Sequence, residues 1–300
     1  MSSATGTDAL TATEGYTKAG DARLFTRSVG SGPPLIVLHG GPDFDHAYLL
    51  PELDQLAAHA RLVYYDQRGR GRSAIGVEPN DVSIASEIAD LEAIRRSLGV
   101  DAVAILGHSW GGLLAMEYTT RHPDRVTHLV LLSPAPASYD DWTDFRESLR
   151  AMRGPADVER MREIAAGVAY RAGDIDAEAE YYRVHFRPTV RDARLLARIV
   201  GRLRLHFDPA GVLLARAIED RLYTETSDVA DYDLLPLLAG LDIPALLLHG
   251  EHDFIPLDVP THIARRLPRA TLTIVPGVGH FSFIERPDLV ELEVARFLEG

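Results

Sequence analysis

Cysteine is absent from the 300 residues of this chain, and Lys18 is its single lysine. Without thiols the chain can form no disulfide, no cysteine-ligated zinc site and no thiol nucleophile. It also lacks any run near the ~18 apolar residues that a membrane-spanning helix needs. Its polar opening segment, MSSATGTDALTATEG, has neither the basic nor the apolar region of a signal peptide. We therefore expect a cytoplasmic protein that does not bind membranes.

Positive charge is also scarce, since 31 basic residues face 44 acidic ones and the net charge is −13. A surface of this sign repels phosphates, which argues against nucleic acid as a partner. The hydrophobic content of 46% and charged content of 25% are typical of a globular protein. The length is enough for one large α/β domain or two small ones.

Short apolar runs alternate with helical patterns along most of the chain. Residues 14–29 read as a hairpin that turns at Gly20 and Asp21, and a helix is expected at 45–58 and another at 83–98. Buried strands are expected at 34–38, 62–65, 102–106, 126–132, 243–249 and 271–275, with further helices at 113–121, 257–267 and 287–298. Strands that are apolar on both faces and alternate with helices predict an α/β fold with a mostly parallel central sheet covered by helices on both faces.

Residues 136–235 break this alternation. The stretch has no convincing strand pattern, only helical segments at 157–172, 176–186 and 189–204. It follows the carboxyl end of a strand, where the loops of α/β folds build binding sites. We expect residues 1–13 to be disordered, 14–135 and 236–300 to form the core, and 136–235 to form a helical cap, or lid.

A candidate nucleophile stands between a predicted strand and a predicted helix, in Gly107-His108-Ser109-Trp110-Gly111. A sharp turn at this place projects the serine oxygen above the sheet, and small residues two positions before and after it prevent clashes of the strained backbone. The amino end of the following helix offers amide donors to a developing oxyanion. The pattern predicts Ser109 as a nucleophile, with the Trp110 amide as one oxyanion donor.

A serine needs a base and an orienting acid. His280 follows the last predicted strand, at the edge of the sheet where the nucleophile lies, and is the expected general base. In strand–turn–helix hydrolases the acid precedes the histidine along the chain. Asp253, just after strand 243–249, is the expected acid, where it would fix the imidazole tautomer and stabilise the imidazolium. The alternatives are Glu251, Asp258, Asp140 and Asp141.

The oxyanion hole needs a second amide from a loop after an earlier strand. Gly41, in the sequence His39-Gly40-Gly41-Pro42, fits this role because glycine allows the backbone to approach a ligand closely. Asp66 and Arg68, in the next loop, are expected to hold loops together through a buried or half-buried ion pair. No metal cluster and no phosphate-binding loop are evident, so no cofactor is expected.

Taken together, HGGP, YYDQRGRGRS, GHSWGG, HGEHD and VGHF resemble the proline iminopeptidase branch of the α/β-hydrolases, over residues 34–133 and 241–300. The resemblance implies an α/β-hydrolase fold with an inserted helical cap. It also implies a serine hydrolase that works through an acyl-enzyme and releases an N-terminal residue, often proline, from small peptides. Some relatives instead cleave amides, esters or unrelated small molecules.

Two departures from the family pattern bear on the substrate. The family commonly has HGGPG, whereas the fifth position here is Asp43. Cap glutamates of the family grip the free amine of the substrate, and this chain has no clear match to that pattern, although Glu219 and Glu225 occupy roughly the corresponding region. The alternative for either glutamate is a solvated helix face. Asp43, Glu219 and Glu225 are therefore the candidate substrate-binding residues. The alternatives are an esterase, amidase or lactonase for a small molecule and, in another class, a catalytically silent ligand-binding protein. The oligomeric state is not evident from the sequence.

Overall fold

The structure is a computed structural model, and it describes residues 11–190 and 192–300. Within these residues eight strands form one sheet in the order β1-β2-β4-β3-β5-β6-β7-β8. The strands are β1 (Thr13–Ala19), β2 (Ala22–Val29), β3 (Pro34–Leu38), β4 (Arg61–Tyr65), β5 (Val103–His108), β6 (Val126–Leu132), β7 (Ala245–Gly250) and β8 (Ala270–Val275). The predicted hairpin is confirmed, because β1 pairs antiparallel with β2 and turns between Ala19 and Ala22.

The sheet is parallel from β4 to β8, and β2 joins it antiparallel through β4. All six residues of β5 and of β7 are buried, which explains why these strands read as unbroken apolar runs rather than as alternating patterns. The prediction of an α/β fold with a mostly parallel sheet is therefore confirmed. The strand that begins at Thr13 lies partly inside the stretch 1–13 that was expected to be disordered, and residues 1–10 lie outside the described residues.

Helices fill the connections between the strands. The helices that cover the sheet are α1 (Ile84–Ser97), α2 (Trp110–Arg121), α10 (Asp258–Arg266), α11 (Ser282–Glu285) and α12 (Pro287–Glu299). The helix predicted at 45–58 is wrong in type, because the segment forms two 3₁₀ helices, His46–Leu49 and Glu52–Ala58. Pro51 separates them, since its nitrogen carries no hydrogen to donate to a continuous helix.

Between β6 and β7 the described residues form helices and contribute no strand to the sheet. They are α3 (Tyr139–Met152), α4 (Pro155–Ala166), α5 (Val168–Arg171), α6 (Ile175–Phe186), α7 (Ala193–Val200), α8 (Pro209–Tyr223) and α9 (Leu235–Leu238). The predicted helix 189–204 is shorter than expected, and it begins where Asp192 accepts from the Arg194 and Leu195 amides. No helix in the described part of the chain is long and apolar enough to cross a membrane.

Candidate active site

Ser109 lies in a strained turn between β5 and α2. Its backbone angles are φ 53° and ψ −116°, in the left-handed half of conformational space that residues with a Cβ avoid. A Cβ on Gly107 would lie 2.2 Å from the Gly111 carbonyl oxygen, and one on Gly111 would lie 2.4 Å from the Leu38 carbonyl oxygen. The two glycines therefore let the turn close on itself and pack against the end of β3.

The loop after β3 lies against this turn. A Cβ on Gly40 would lie 2.9 Å from the Cβ of Ser109, so the two backbones are in close contact. Neither the Gly41 amide nor the Trp110 amide donates a hydrogen bond to any described residue. Gly41 has φ +52°, and a Cβ there would lie 2.2 Å from the ring of Phe44. Glycine is thus needed at position 41 to pack against Phe44, and the expected approach of the Gly41 amide to a ligand stays a prediction.

His280 and Asp253 lie side by side behind the serine. His280 follows β8, Asp253 follows β7, and the imidazole Nδ1 lies 2.9 and 3.0 Å from the two carboxylate oxygens. The Ile255 amide donates to the same carboxylate at 2.9 Å. Burial by itself raises the pKa of Asp253, but the neighbouring His280 and His249 and these hydrogen bonds outweigh it and lower the pKa to about 2.

The other candidate acids lie elsewhere. Glu251 accepts from the Gly277 amide, Asp258 begins α10, and Asp141 accepts from His262 Nδ1 at 2.8 Å. Of the five carboxylates that are candidates for the acid, Asp253 is the one that contacts the imidazole of His280. Ser109 Oγ makes no hydrogen bond to His280 Nε2, although both residues line the same cavity.

A chain of buried hydrogen bonds, which the sequence did not reveal, connects three loops of the site. The Gly40 amide donates to the Tyr48 hydroxyl at 2.6 Å, this hydroxyl donates to His108 Nδ1 at 2.7 Å, and His108 Nε2 donates to the His280 carbonyl at 3.0 Å. A carbonyl only accepts, so Nε2 must carry the proton. Burial lowers the pKa of His108 to about 3, which keeps this ring neutral.

A cavity of about 330 Å³ lies over Ser109, between the sheet edge and the helices that follow β6. Gly41, Trp110 and His280 also line it. Its wall is rich in aromatic side chains, with Phe44, Trp142, Phe145, Tyr170, Tyr181, Tyr182, Phe186, Tyr223, Phe254 and Phe281. Such a wall suits a small ligand with an apolar body and few polar groups.

The three candidate substrate-binding acids occupy different environments. Asp43 lines the cavity but is 1% exposed and is paired with Arg204. Glu219 lines the cavity and is partly exposed, and Tyr223 donates to it at 2.8 Å. Burial, followed by the charge of Asp43, raises the pKa of Glu219 to about 8. Glu225 lies outside the cavity wall, where it accepts from the Ile84 amide and pairs with Arg221, so the prediction for Glu225 is wrong.

The expected ion pair between Asp66 and Arg68 is also wrong. Arg68 binds Asp90 and Asp21, while Asp66 accepts from His46 Nδ1 at 2.6 Å. Near Asp66, the ligand atoms of one His/Asp cluster, Asp45, His46 and His206, lie within 4.8 Å of one another. His206 Nδ1 bonds Asp45 at 2.9 Å, so a metal ion bound there would have to break this contact. The expectation that the chain needs no cofactor stays a prediction.

Comparison with known proteins agrees with this fold. The model of the alpha/beta hydrolase fold family matches residues 33–287, and the chain belongs to that family. It is a hydrolase enzyme, of the serine type that is typical of the family.

Within the family the chain resembles proline iminopeptidases. It is 31% identical to the proline iminopeptidase of Levilactobacillus brevis over 269 residues, which cover 88% of each chain. It is 27% identical to that of Lactobacillus delbrueckii subsp. lactis, covering 91% of this chain and 93% of the other.

Solved structures show the same fold. A proline iminopeptidase from Mycobacterium smegmatis superimposes with a TM-score of 0.70 at 24% identity, covering 96% of this chain and 98% of the other. A 2-hydroxy-6-oxo-6-phenylhexa-2,4-dienoate hydrolase from Rhodococcus sp. strain RHA1 gives a TM-score of 0.76 at 18% identity, covering 97% and 100%.

Proposed function

We propose that the chain is a serine aminopeptidase that releases the N-terminal residue of small peptides through an acyl-enzyme. The observation that carries the proposal is the convergence on one cavity of Ser109, the His280–Asp253 pair and the pocket carboxyl group of Glu219. The similarity to proline iminopeptidases supports the same substrate class.

In the proposed reaction Ser109 Oγ attacks the scissile carbonyl carbon while His280 Nε2 takes its proton. Asp253 holds Nδ1–H, which leaves Nε2 free to accept that proton. The amides of Gly41 and Trp110 bind the oxyanion. The imidazolium then protonates the leaving amine as the C–N bond breaks, and water hydrolyses the acyl-enzyme by the same route. Ser109 and His280 line the same cavity without a hydrogen bond between them, and catalytic hydrogen bonds often form or tighten when substrate binds.

We assign recognition of the substrate's free amine to Glu219. A protonated amine that enters a partly desolvated cavity loses hydration and needs a charged partner. Glu219 is the carboxyl group on the cavity wall that is not already paired with an arginine and is at least half-buried. The amine would bind the ionised form of Glu219, while the aromatic wall contacts the apolar side chain. We further propose that residues 136–235 act as the cap that closes this cavity.

Hydrolysis rates on three matched substrates test the proposal: prolyl p-nitroanilide, its N-acetylated form, and p-nitrophenyl acetate. We expect acetylation to remove nearly all activity, because it deletes the cation and leaves Glu219 without a partner. Glu219→Gln should lower kcat/KM on the free-amine substrate by ~30-fold or more, from a pair worth about 2 kcal/mol or more. Asp220→Asn is the matched control, since Asp220 lines the same wall but is exposed.

A second candidate function is an esterase or lactonase for an uncharged small molecule. The observation that favours it is the pairing of Asp43 with Arg204, which removes one of the carboxylates expected to bind an amine. Equal rates on the acetylated and free prolyl substrates, or activity on the ester alone, would select this second function and exclude the aminopeptidase.

A further inference from the structure

Asp43 occupies the turn that presents the Gly41 amide. The turn runs from Gly41 to Phe44 and is closed by a hydrogen bond of 2.9 Å from the Phe44 amide to the Gly41 carbonyl. The Asp43 side chain is only 1% exposed, so its carboxylate does not face solvent. Its carboxylate accepts from the Tyr182 hydroxyl at 2.5 Å, and Arg204 donates to both its carboxylate and its carbonyl oxygen.

The partners of Asp43 belong to the helical segment between β6 and β7. Arg204 is 5% exposed and also binds Glu178 at 2.8 Å, while Arg216 pairs with the same glutamate. Two acids and two arginines thus balance one another inside the protein. A charge in such a set is stable only with its partners, and removing one partner leaves an uncompensated buried charge. The Asp43 carboxylate therefore keeps its internal partners and is not available to bind a substrate amine.

The aromatic rings reinforce the same connection. Gly41 packs against the Phe44 ring, and this ring meets Tyr182 edge-on at 5.1 Å between centroids. The guanidinium of Arg204 lies 5.5 Å from the centre of the Phe44 ring. Both residues that follow Pro42 thus contact the inserted segment, Asp43 through charge and Phe44 through ring contacts.

We propose that Asp43 is a positioning residue that fixes the oxyanion loop to the inserted segment through Tyr182 of α6 and Arg204 in the turn between α7 and α8. The inference rests on the proposed function in one respect, namely that the Gly41 amide donates to the oxyanion. An oxyanion donor is effective only when it is preorganised within hydrogen-bonding distance of the developing charge. The Asp43 latch, defined as Asp43 with Tyr182 and Arg204, supplies that preorganisation from outside the catalytic loop.

This role predicts a specific kinetic signature. Loosening the latch displaces the Gly41 amide in the transition state but leaves the cavity that binds the ground state, so kcat should fall while KM stays within about twofold. The fall should be the same for substrates with and without a free amine. If Asp43 instead bound the amine, its loss would raise KM, and only for the free-amine substrate.

The test measures kcat and KM on prolyl p-nitroanilide and p-nitrophenyl acetate for Tyr182→Phe, Asp43→Asn and Asp43→Ala. Loss of a whole oxyanion donor costs ~10²–10³ in kcat, and a displaced donor should cost less. We expect a loss of about 10-fold for Tyr182→Phe and for Asp43→Asn, and a larger loss for Asp43→Ala. The asparagine keeps an acceptor oxygen, so it should rescue part of the activity that alanine loses. Tyr182→Phe leaves every charge in place, so it still tests the proposal if the Asp43 variants fail to fold.

Glu52→Gln is the matched control. Glu52 binds Arg198 and Arg202 of the same inserted segment, each at 2.9 Å, but it has no contact with the turn at Gly41. Its replacement should leave kcat unchanged on both substrates. Unchanged kcat in Tyr182→Phe and Asp43→Asn, or a rise in KM confined to the prolyl substrate, would overturn the latch. If the wild-type enzyme does not hydrolyse the prolyl substrate, the aminopeptidase proposal fails. The rates on the ester then still test whether the Asp43 latch positions the oxyanion loop.

Discussion

At the scale of single residues, His108 connects three loops of the site through its two ring nitrogens. Its two ring nitrogens join Tyr48 to the backbone of His280, and Tyr48 in turn holds the Gly40 amide. One neutral ring therefore sets the spacing of the oxyanion loop, the serine turn and the histidine loop. A buried polar chain of this kind is stabilising only when every member is satisfied.

Tyr48→Phe should therefore lower both the stability and the activity of the protein. The change leaves the Gly40 amide and His108 Nδ1 buried without partners, and each such group costs ~1–3 kcal/mol. We expect the free energy of unfolding in urea to fall by at least about 1 kcal/mol, together with a loss of kcat. Tyr65→Phe is the matched control, because the buried Tyr65 hydroxyl has no hydrogen-bond partner among the described residues and its removal should not destabilise. Equal stability of the two variants would contradict the role of Tyr48.

At the scale of secondary-structure elements, the approach of α2 to the end of β3 fixes the serine turn. Gly111 lies in the first turn of α2, directly against the carbonyl groups of Leu38 and His39. These contacts leave no room for a side chain, so the glycine determines how closely the helix amides approach the oxyanion loop.

Gly111→Ala should push α2 away from β3. The added Cβ would lie 2.4 Å from the Leu38 oxygen and 2.7 Å from the His39 oxygen, and backbone cannot move as a flexible side chain does. Overpacking of this kind costs ~1–3 kcal/mol, and we expect activity to fall with the melting temperature. Gly15→Ala in β1 is the control, since its Cβ would meet one atom at 4.0 Å. A fully active, equally stable Gly111→Ala variant would be inconsistent with this packing.

The sequence predicted the elements whose signals are local. Strands β3 and β6 were predicted with the observed bounds, because β3 is a run of five apolar residues and β6 ends in the apolar run LVLL, and such runs are typical of a strand buried on both faces. Ser109, Asp253 and His280 are catalytic candidates from the sequence because each follows a strand, and the structure places His280 against Asp253. Tyr48 with His108, and Asp43 with Arg204, were missed because they meet across 60 and 161 residues, and no local pattern records such a contact.

At the scale of the whole molecule, the cavity belongs to neither the sheet nor the inserted helices alone. Its floor is the serine turn, and its wall includes Glu219 of α8. Enclosure between the two layers removes water from this carboxyl group, and the charge of Asp43 adds to the effect, so the pKa of Glu219 rises to about 8. Below that pH the empty site holds Glu219 largely protonated.

This pKa predicts a pH-dependent affinity for cations. An acid with a raised pKa in the folded protein must lose its proton before it pairs with a cation, so binding should weaken as pH falls below about 8. The inhibition constant of a permanent cation, the quaternary 1,1-dimethylpyrrolidinium-2-carboxamide, should rise about tenfold for each pH unit below that value and level off above it. In Glu219→Gln this dependence should disappear, and a profile identical to wild type would remove Glu219 from amine recognition.

The same shift affects stability in the opposite direction. Because the folded-state pKa of Glu219 lies above its ordinary value, its contribution to stability is complete at acidic pH and is lost as pH rises through about 8. Glu219→Gln should therefore gain stability relative to wild type as pH rises from about 5 to about 8 and keep that gain above pH 8, as measured by urea unfolding from about pH 5 to 9.

The most direct test of an acyl-enzyme at Ser109 is the mass of the enzyme during turnover. Wild-type protein quenched in acid while hydrolysing a prolyl ester should carry one prolyl group per chain, on the peptide that contains Ser109. Ser109→Ala should carry none and should lose ~10⁶ in kcat, with an unchanged fold by circular dichroism. An acyl group on another residue, or turnover by Ser109→Ala above about a thousandth of the wild-type rate, would contradict an acyl-enzyme at Ser109.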